Sequence, residues 1–453
     1  MHNYTLLDKN NSFILTKKIC ISLNYEQIQF CNKQFELSRA LWNLYKEYLD
    51  KRFKETGKLY HWMEFGVYLN NELRELPEYS YLKDIKQFIR NGIIKTLYTR
   101  YKMYKDYIFS KDKKTKRKIE VPKFKSKKKN ELINYYYFQG NQDKVKNPDR
   151  YNLLLIRFTK SNTHINLPYL KEVELKEIGY LTEEDLPNIV ESTLTYENYK
   201  FYVNLNIKYP KDYFINKYPR SGIYGMGIDV GIKNYMTIYD GNVITNIPNI
   251  NKSKKIKRLF DRISKIQQGI SNRLEIHKQE LGLKYPDYRC FSNNITKLYQ
   301  KVSKIWLKIR NIRNDYMKKM VNKIVRTKPF YITVEKLVVS DILETKNEDT
   351  KPYKKNLNKW TAYTGLGNLL SYLKWKCYIN GIEVRVAYKE FKSSKECSNC
   401  HKKNDNLKLS DRTFHCKNCG ITLDRDANAA INLFYTDKYG FYTTKENQDV
   451  IIR

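Results

Sequence analysis

Acid is scarce in this sequence. Asp and Glu number 48 against 85 Lys and Arg, for a net charge of +37. No small-molecule chemistry needs that excess. A polyanion partner does, because each phosphate neutralised by a basic side chain releases counterions. Long apolar runs are missing as well. No stretch reaches the ~18 apolar residues that a membrane-spanning helix requires, so neither a transmembrane helix nor a membrane partner is expected. The opening MHNYTLLDKNNS lacks the basic-then-apolar plan of a secretory signal. No internal repeat is evident.

What is present points the same way. Hydrophobic residues are 41% and charged residues 29%, which predicts a soluble protein with real cores and about two to four domains. Tyrosine is abundant, at 40 residues. Rings among lysines suit stacking on unpaired bases, although codon bias in an AT-rich genome accounts for most of them. Of eight cysteines, Cys20, Cys31, Cys290 and Cys377 are scattered. Cys397, Cys400, Cys416 and Cys419 form two C-x-x-C pairs separated by 15 residues. Pairs at this distance make a tetrahedral four-thiolate zinc site, which is structural because no position stays open for water. The pattern favours metal in a reducing compartment over disulfides. His401 and His415 beside it read as surface or outer-shell groups.

Periodicity divides the rest. Residues 13–24 alternate as a strand, and 26–52 and 82–109 read as helices, with Gly92 a weak point in the second. Residues 110–129 hold eleven Lys/Arg and two acids. Pro122 and Phe124 break that run into structured pieces, so a phosphate-contacting loop is the preferred reading, with Lys123, Lys125, Lys127, Lys128 and Lys129 as the contacts. KKTKRK (113–118) also fits a nuclear-localisation signal. Residues 131–220 alternate as further strands. Beyond 221, YGMGIDVG (224–231) is a buried strand and NYMTIYDGN another. Two helices follow, the first with Ile256, Leu259, Ile263, Ile266 and Ile270, the second with Leu298, Val302, Ile305 and Ile309. Their three/four spacing predicts that they pair. FYITVEKL (330–337) is a strand, 341–358 a polar loop, 359–379 a helix and 382–388 a strand.

Three acids sit where chemistry would want them. Asp229 ends a strand, Glu335 ends another, and Asp426 opens the last helix within DRDANAAINL (424–433). Carboxylates are costly beside apolar strand residues unless paired or bound to metal. Cleavage of nucleic acid by paired Mg²⁺ ions needs such carboxylates to converge, however far apart in sequence. Asp424 is the neighbour of Asp426 or the helix cap.

GIDVGIKNYMTIYDG, ITVEKL, the double C-x-x-C and DRDANAAINL occur in this order. The set resembles the split RuvC-type nuclease domain of the TnpB family, which includes transposon-encoded TnpB, the eukaryotic and viral Fanzor proteins, and compact type V CRISPR effectors. PKFKSKK (122–128) is similar to a basic motif common there, and the resemblance covers nearly the whole chain. It implies a multidomain α/β plus β fold: an RNase H-like (RuvC) core with an inserted zinc ribbon, and an N-terminal wedge β-barrel interrupted by a helical recognition domain. The expected boundaries are wedge 1–26 and 121–220, recognition domain 27–120, nuclease core 221–392 and 423–436, zinc ribbon 393–422 and tail 437–453. A lid is expected at 341–358. Carried over residue by residue, the catalytic set falls on Asp229, Glu335 and Asp426. Lys336 departs from the acidic or polar residue common in relatives. The implied activity is RNA-guided, Mg-dependent cleavage of double-stranded target DNA beside a short protein-read motif, with a guide RNA as partner. The rivals are a zinc-ribbon nucleic-acid-binding regulator with an inactive nuclease core, and an unguided DNA transposase or nuclease. The expected location is the nucleus for a eukaryotic or viral Fanzor and the cytoplasm for a bacterial protein.

Overall fold

The computed structural model describes residues 12–110, 119–126, 135–138, 156–160, 162–176, 181–215, 222–286, 291–335, 365–387, 391–407 and 411–436. The expected lid at 341–358, Lys336, Cys290 and the KKTKRK run lie outside them. The chain divides into two compact units, Met1–Pro210 and Lys211–Arg453.

The first unit is built on a seven-stranded antiparallel sheet, order β2-β6-β7-β1-β5-β4-β3. Its strands are β1 (Ser12–Ser22), β2 (Tyr135–Phe138), β3 (Arg157–Thr159), β4 (His164–Leu167), β5 (Lys171–Leu175), β6 (Ser192–Glu197) and β7 (Lys200–Pro210). In β7 every second residue is buried, from Phe201 through Val203, Leu205 and Ile207 to Tyr209. That period places one face on the core. It pairs with β1 from Ser12↔Pro210 to Ile21↔Phe201.

Among the described residues, the interval between β1 and β2 holds three α-helices: α1 (Tyr25–Thr56), α2 (Trp62–Asn71) and α3 (Gln87–Ile108). Asn24 and Gln27 form a capping box that starts α1, and Gly57, at φ 65°, ends it in the left-handed conformation. The helix expected from residue 82 begins five residues later. Pro77–Asp84 forms a 3₁₀ helix instead, and Lys86 at the α3 N-cap makes no side-chain cap bond, so its sequence carries no start signal. Gly92 is a fitted position in α3. A Cβ there would stand 2.2 Å from the Tyr137 ring, so glycine lets β2 lie close on the helix.

The second unit carries a five-stranded mixed sheet, order β10-β9-β8-β11-β12. The strands are β8 (Gly225–Asp229), β9 (Asn234–Tyr239), β10 (Ile244–Pro248), β11 (Tyr331–Glu335) and β12 (Glu383–Ala387). β8 runs parallel to β11 and antiparallel to β9, and β11 runs parallel to β12. Between β10 and β11 stand α4 (Lys254–Glu280) and α5 (Asn293–Arg326). They pack through Ile263, Ile270, Ile295, Val302, Ile305 and Ile309, the residues at three/four spacing. Further on come α6 (Leu366–Ile379), the hairpin β13 (Thr413–His415) with β14 (Thr422–Asp424), and α7 (Arg425–Phe434). Among the described residues, no helix is long and apolar enough to cross a membrane.

Gly227 decides where α7 sits. A Cβ on it would lie 2.0 Å from the Ala430 carbonyl and 2.5 Å from the Phe434 nitrogen. Only a bare backbone admits the helix at that distance. Tyr331 of β11 donates its hydroxyl to the Phe434 carbonyl at 3.0 Å, which satisfies one orphan carbonyl at the helix end.

Candidate functional site

The acids at 229, 335 and 426 come together in the second unit. Val334 is the register partner of Ile228 in the parallel β8–β11 pair. Asp229 and Glu335 each follow by one residue, so they end neighbouring strands on the same edge of the sheet. Helix α7, packed on β8 over Gly227, brings its first turn and Asp426 to that edge. Asp426 is 7% exposed.

The electrostatics register the crowding. Asp229 is pushed up to about 8, first by burial and then by the charges of Glu335 and Asp426, against the pull of Arg425. Burial also raises Glu335, opposed by a hydrogen bond from the Ser393 hydroxyl and by Arg425. Desolvation and like charge both penalise the ionised form. The Arg425 guanidinium stands 3.4 Å from an Asp426 carboxylate oxygen and supplies part of the missing countercharge.

Asp424 has a different role. Its Oδ1 accepts from the Asp426 and Ala427 backbone N–H groups, at 3.0 and 3.3 Å, as the N-cap of α7. Its Oδ2 pairs with Lys233 at 3.1 Å. Burial would raise this carboxyl, but Lys233 and the helix N–H groups outweigh it and hold it below the usual range. One acid caps the helix, and the other is left to face Asp229. Neither Lys233 nor Ser393 carried a signal in the sequence, since each acts through a partner distant along the chain.

The four cysteines converge. Cys397 and Cys419 sulfurs lie 3.6 Å apart and those of Cys400 and Cys416 lie 3.5 Å apart. Among the described residues, this is the one group of three or more potential ligands whose donor atoms all lie within 4.8 Å of each other; the carboxylate trio is more open. A tetrahedral zinc with ~2.3 Å bonds to sulfur sets its sulfurs ~3.8 Å apart, so the quartet fits that ion. Both knuckles turn alike. The residue after each second cysteine is left-handed, His401 at φ 60° and Gly420 at φ 74°. Backbone N–H groups of Lys402 and Ile421 reach the Cys400 and Cys419 sulfurs and lower both thiols, Cys419 to about 6. Burial pushes Cys397 the other way, up to about 12, and a bound dication would reverse that. His401 Nδ1 stands 3.8 Å from Glu396, and His415 Nδ1 lies 2.9 Å from the Thr422 hydroxyl.

In the first unit, the basic segment is held by its backbone. Trp42 Nε1 donates to the Lys123 carbonyl at 3.1 Å. Asn43 donates to the Lys125 carbonyl at 3.0 Å and accepts from its N–H at 2.7 Å. Lys125 and Arg100 lie 5.5 and 5.2 Å from the Trp42 ring centre, and Lys46 lies 4.2 Å from that of Phe124. Lys123 pairs with Glu120 at 3.0 Å, both exposed. Lys127, Lys128 and Lys129 fall outside the described residues.

Two family models match segments of the second unit. Residues 221–346 match the family described as probable transposase, OrfB_IS605, and residues 367–433 match the Cas12f1-like TNB domain. A Streptomyces pristinaespiralis protein named "Putative RNA-guided DNA endonuclease" is 28% identical over 46% of this chain and 44% of its own length. The TnpB-like protein L79 of Acanthamoeba polyphaga mimivirus is 28% identical over 51% of this chain and 40% of its own. This chain therefore spans less than half the length of those two relatives. A protein of Escherichia coli K12 named "Putative RNA-guided DNA endonuclease InsQ" is 22% identical over 83% of this chain and 79% of its own. The structure titled "Cryo-EM structure of CasPhi-2 (Cas12j) bound to crRNA" aligns with 93% of this chain and 97% of its own at 11% identity, with a TM-score of 0.42, too low to place any residue.

Proposed function

We propose that this chain is a member of the TnpB family, a reading supported by its two matched domains and its TnpB-like relatives, and that it acts as an RNA-guided DNA endonuclease. In this reading the five-stranded sheet with α7 is an RNase H-like (RuvC) core. The seven-stranded sheet is the wedge, α1 to α3 form a recognition domain, and a lid belongs to 341–358. A guide RNA pairs with one strand of double-stranded DNA and supplies the sequence specificity, while the protein grips backbones and reads a short flanking motif. The excess of basic residues and the backbone-held Lys123 and Lys125 support that partner class.

One observation carries the reading: Asp229 and Glu335 end adjacent parallel strands, and Asp426 opens the helix packed beside them. An all-oxygen donor set suits Mg²⁺, and the raised Asp229 marks a cluster short of positive charge. Asp229, Glu335 and Asp426 would hold the divalent ions, which when bound activate water and stabilise the leaving oxygen. Asp424 is engaged by Lys233 and the helix amides, so it fixes the pitch of Asp426 instead of binding metal. Arg425 tempers the repulsion among the acids. The cysteine quartet would hold zinc as a closed structural site.

The test is Asp229→Ala in the full chain. The variant should bind guide RNA and target DNA as the wild type does and lose divalent-dependent cleavage by on the order of 10³-fold or more. Wild-type cutting by that variant would refute the assignment.

A further inference from the structure

Helix α7 carries two buried asparagines, Asn428 and Asn432, at 0% and 2% exposure. Their spacing of four puts both on one face of the helix. Both reach out of the helix to the same two carbonyls. Asn428 Nδ2 donates to the Glu396 carbonyl at 2.6 Å and to the Ser393 carbonyl at 3.5 Å. Asn432 Nδ2 donates to the Ser393 carbonyl at 2.8 Å and to the Glu396 carbonyl at 2.7 Å. The Asn428 oxygen accepts from the Ser398 N–H at 2.9 Å. Ser398 lies inside the first C-x-x-C turn, and Glu396 directly precedes Cys397. Ser393, 1% exposed, spends its carbonyl on the two asparagines, and its side chain lies beside Glu335, where it favours the ionised carboxylate.

These bonds make one connected path. It runs from the Cys397–Cys400 turn, through Asn428 and Asn432, to the helix that presents Asp426, and through Ser393 to Glu335. Apolar residues at both positions would leave the Ser393 and Glu396 carbonyls and the Ser398 N–H without these partners, at a cost of ~1–3 kcal/mol per group. Phe391, packed with Leu433 and Ala387, steadies the approach to Ser393 from the other side.

We infer that Asn428, Asn432 and Ser393 are positioning residues that couple metal binding at the cysteine quartet to the placement of the carboxylates. The inference rests on the carboxylate reading above. Ordering of the first knuckle by its metal fixes Glu396 and Ser398. Those fix Asn428 and Asn432, and with them the pitch of α7. A knuckle without metal releases the same path and lets Asp426 and Glu335 drift apart.

The test is a coupling measurement on the full chain, with Mn²⁺ binding at the carboxylates read by electron paramagnetic resonance. Cysteine-bound metal is followed separately by elemental analysis. In the wild type, stripping the cysteine-bound metal with a thiol-reactive reagent should weaken Mn²⁺ binding by about tenfold, the scale of an outer-shell effect. Asn428→Ala should keep its cysteine-bound metal and bind Mn²⁺ about tenfold more weakly already. Stripping that variant should then add little, because the two changes cut the same path. Ser393→Ala is the milder second variant, and it should weaken Mn²⁺ binding with cysteine-bound metal retained. Equal losses on stripping wild type and Asn428→Ala would overturn the coupling, as would unchanged Mn²⁺ affinity in Ser393→Ala. Asp229→Ala, measured alongside, separates the two claims. Should it also keep wild-type Mn²⁺ binding, the carboxylate site falls and the coupling with it; if it loses binding while the other variants behave additively, only the coupling falls.

Discussion

The cysteine quartet and the carboxylate trio occupy the same unit and are built in opposite ways. The quartet comes from one short stretch, Cys397 to Cys419, whose two turns each aim a pair of sulfurs at one point. The trio is drawn from two strands and a helix, its first two members 106 positions apart and its last two 91. Local turn geometry fixes the quartet. Packing fixes the trio: a parallel register, a glycine that admits a helix, and asparagines that hold the helix to the knuckle. A site made by local turns tolerates change elsewhere, whereas a site made by packing inherits every weakness of the core beneath it.

The largest test of that contrast is Gly227→Ala. The new methyl would meet the Ala430 carbonyl and the Phe434 nitrogen, and α7 would have to lift from β8. Overpacking of this kind costs ~1–3 kcal/mol, and a ~1 Å displacement of a reacting group can cost about 10²-fold in rate. Cleavage should fall by about that much while elemental analysis still finds the cysteine-bound metal. A variant that lost the metal and kept cleavage would invert the comparison.

Cys416→Ser should act in the other order, losing the bound metal first and cleavage as a consequence. The expected loss of activity is about 10- to 10²-fold, measured on guide-loaded protein beside its zinc content. Wild-type cleavage with zinc absent would show that the trio stands without the quartet.

The smallest effect is on stability. Asp229 is raised from 3.8 to about 8, so the fold favours its protonated form. That contribution is fully present below about pH 4 and is lost as pH rises through about 8. Asparagine imitates the protonated state. In metal-free protein, the melting temperature of Asp229→Asn should therefore gain on the wild type between those limits. A gap that stays constant with pH would place Asp229 in an ordinary, uncrowded setting.

Much of this was legible in the sequence, and the limits have physical causes. The C-x-x-C spacing states its own geometry. Strands β8 and β11 stand out as apolar runs ending in an acid, and α4 with α5 as three/four stripes. Strand β10 does not, because ITNIP buries only Ile247 and pairs through its backbone. Gly92 reads as a flaw in a helix until Tyr137 is placed against it. Asn428 and Asn432 carry no sequence signal of their role in the alanine-rich α7. Their partners are main-chain carbonyls more than 30 residues upstream, and a carbonyl leaves no mark on the sequence that carries it.

The central claim is that Asp229, Glu335 and Asp426 form one divalent-cation site. It is tested most directly by titrating the full chain, its cysteine-bound metal retained and other divalent ions removed, with Mn²⁺ under electron paramagnetic resonance, wild type beside single alanine variants of the three. Saturable binding in the wild type that weakens sharply in all three variants is the predicted result. Undiminished binding in any one of them would contradict it.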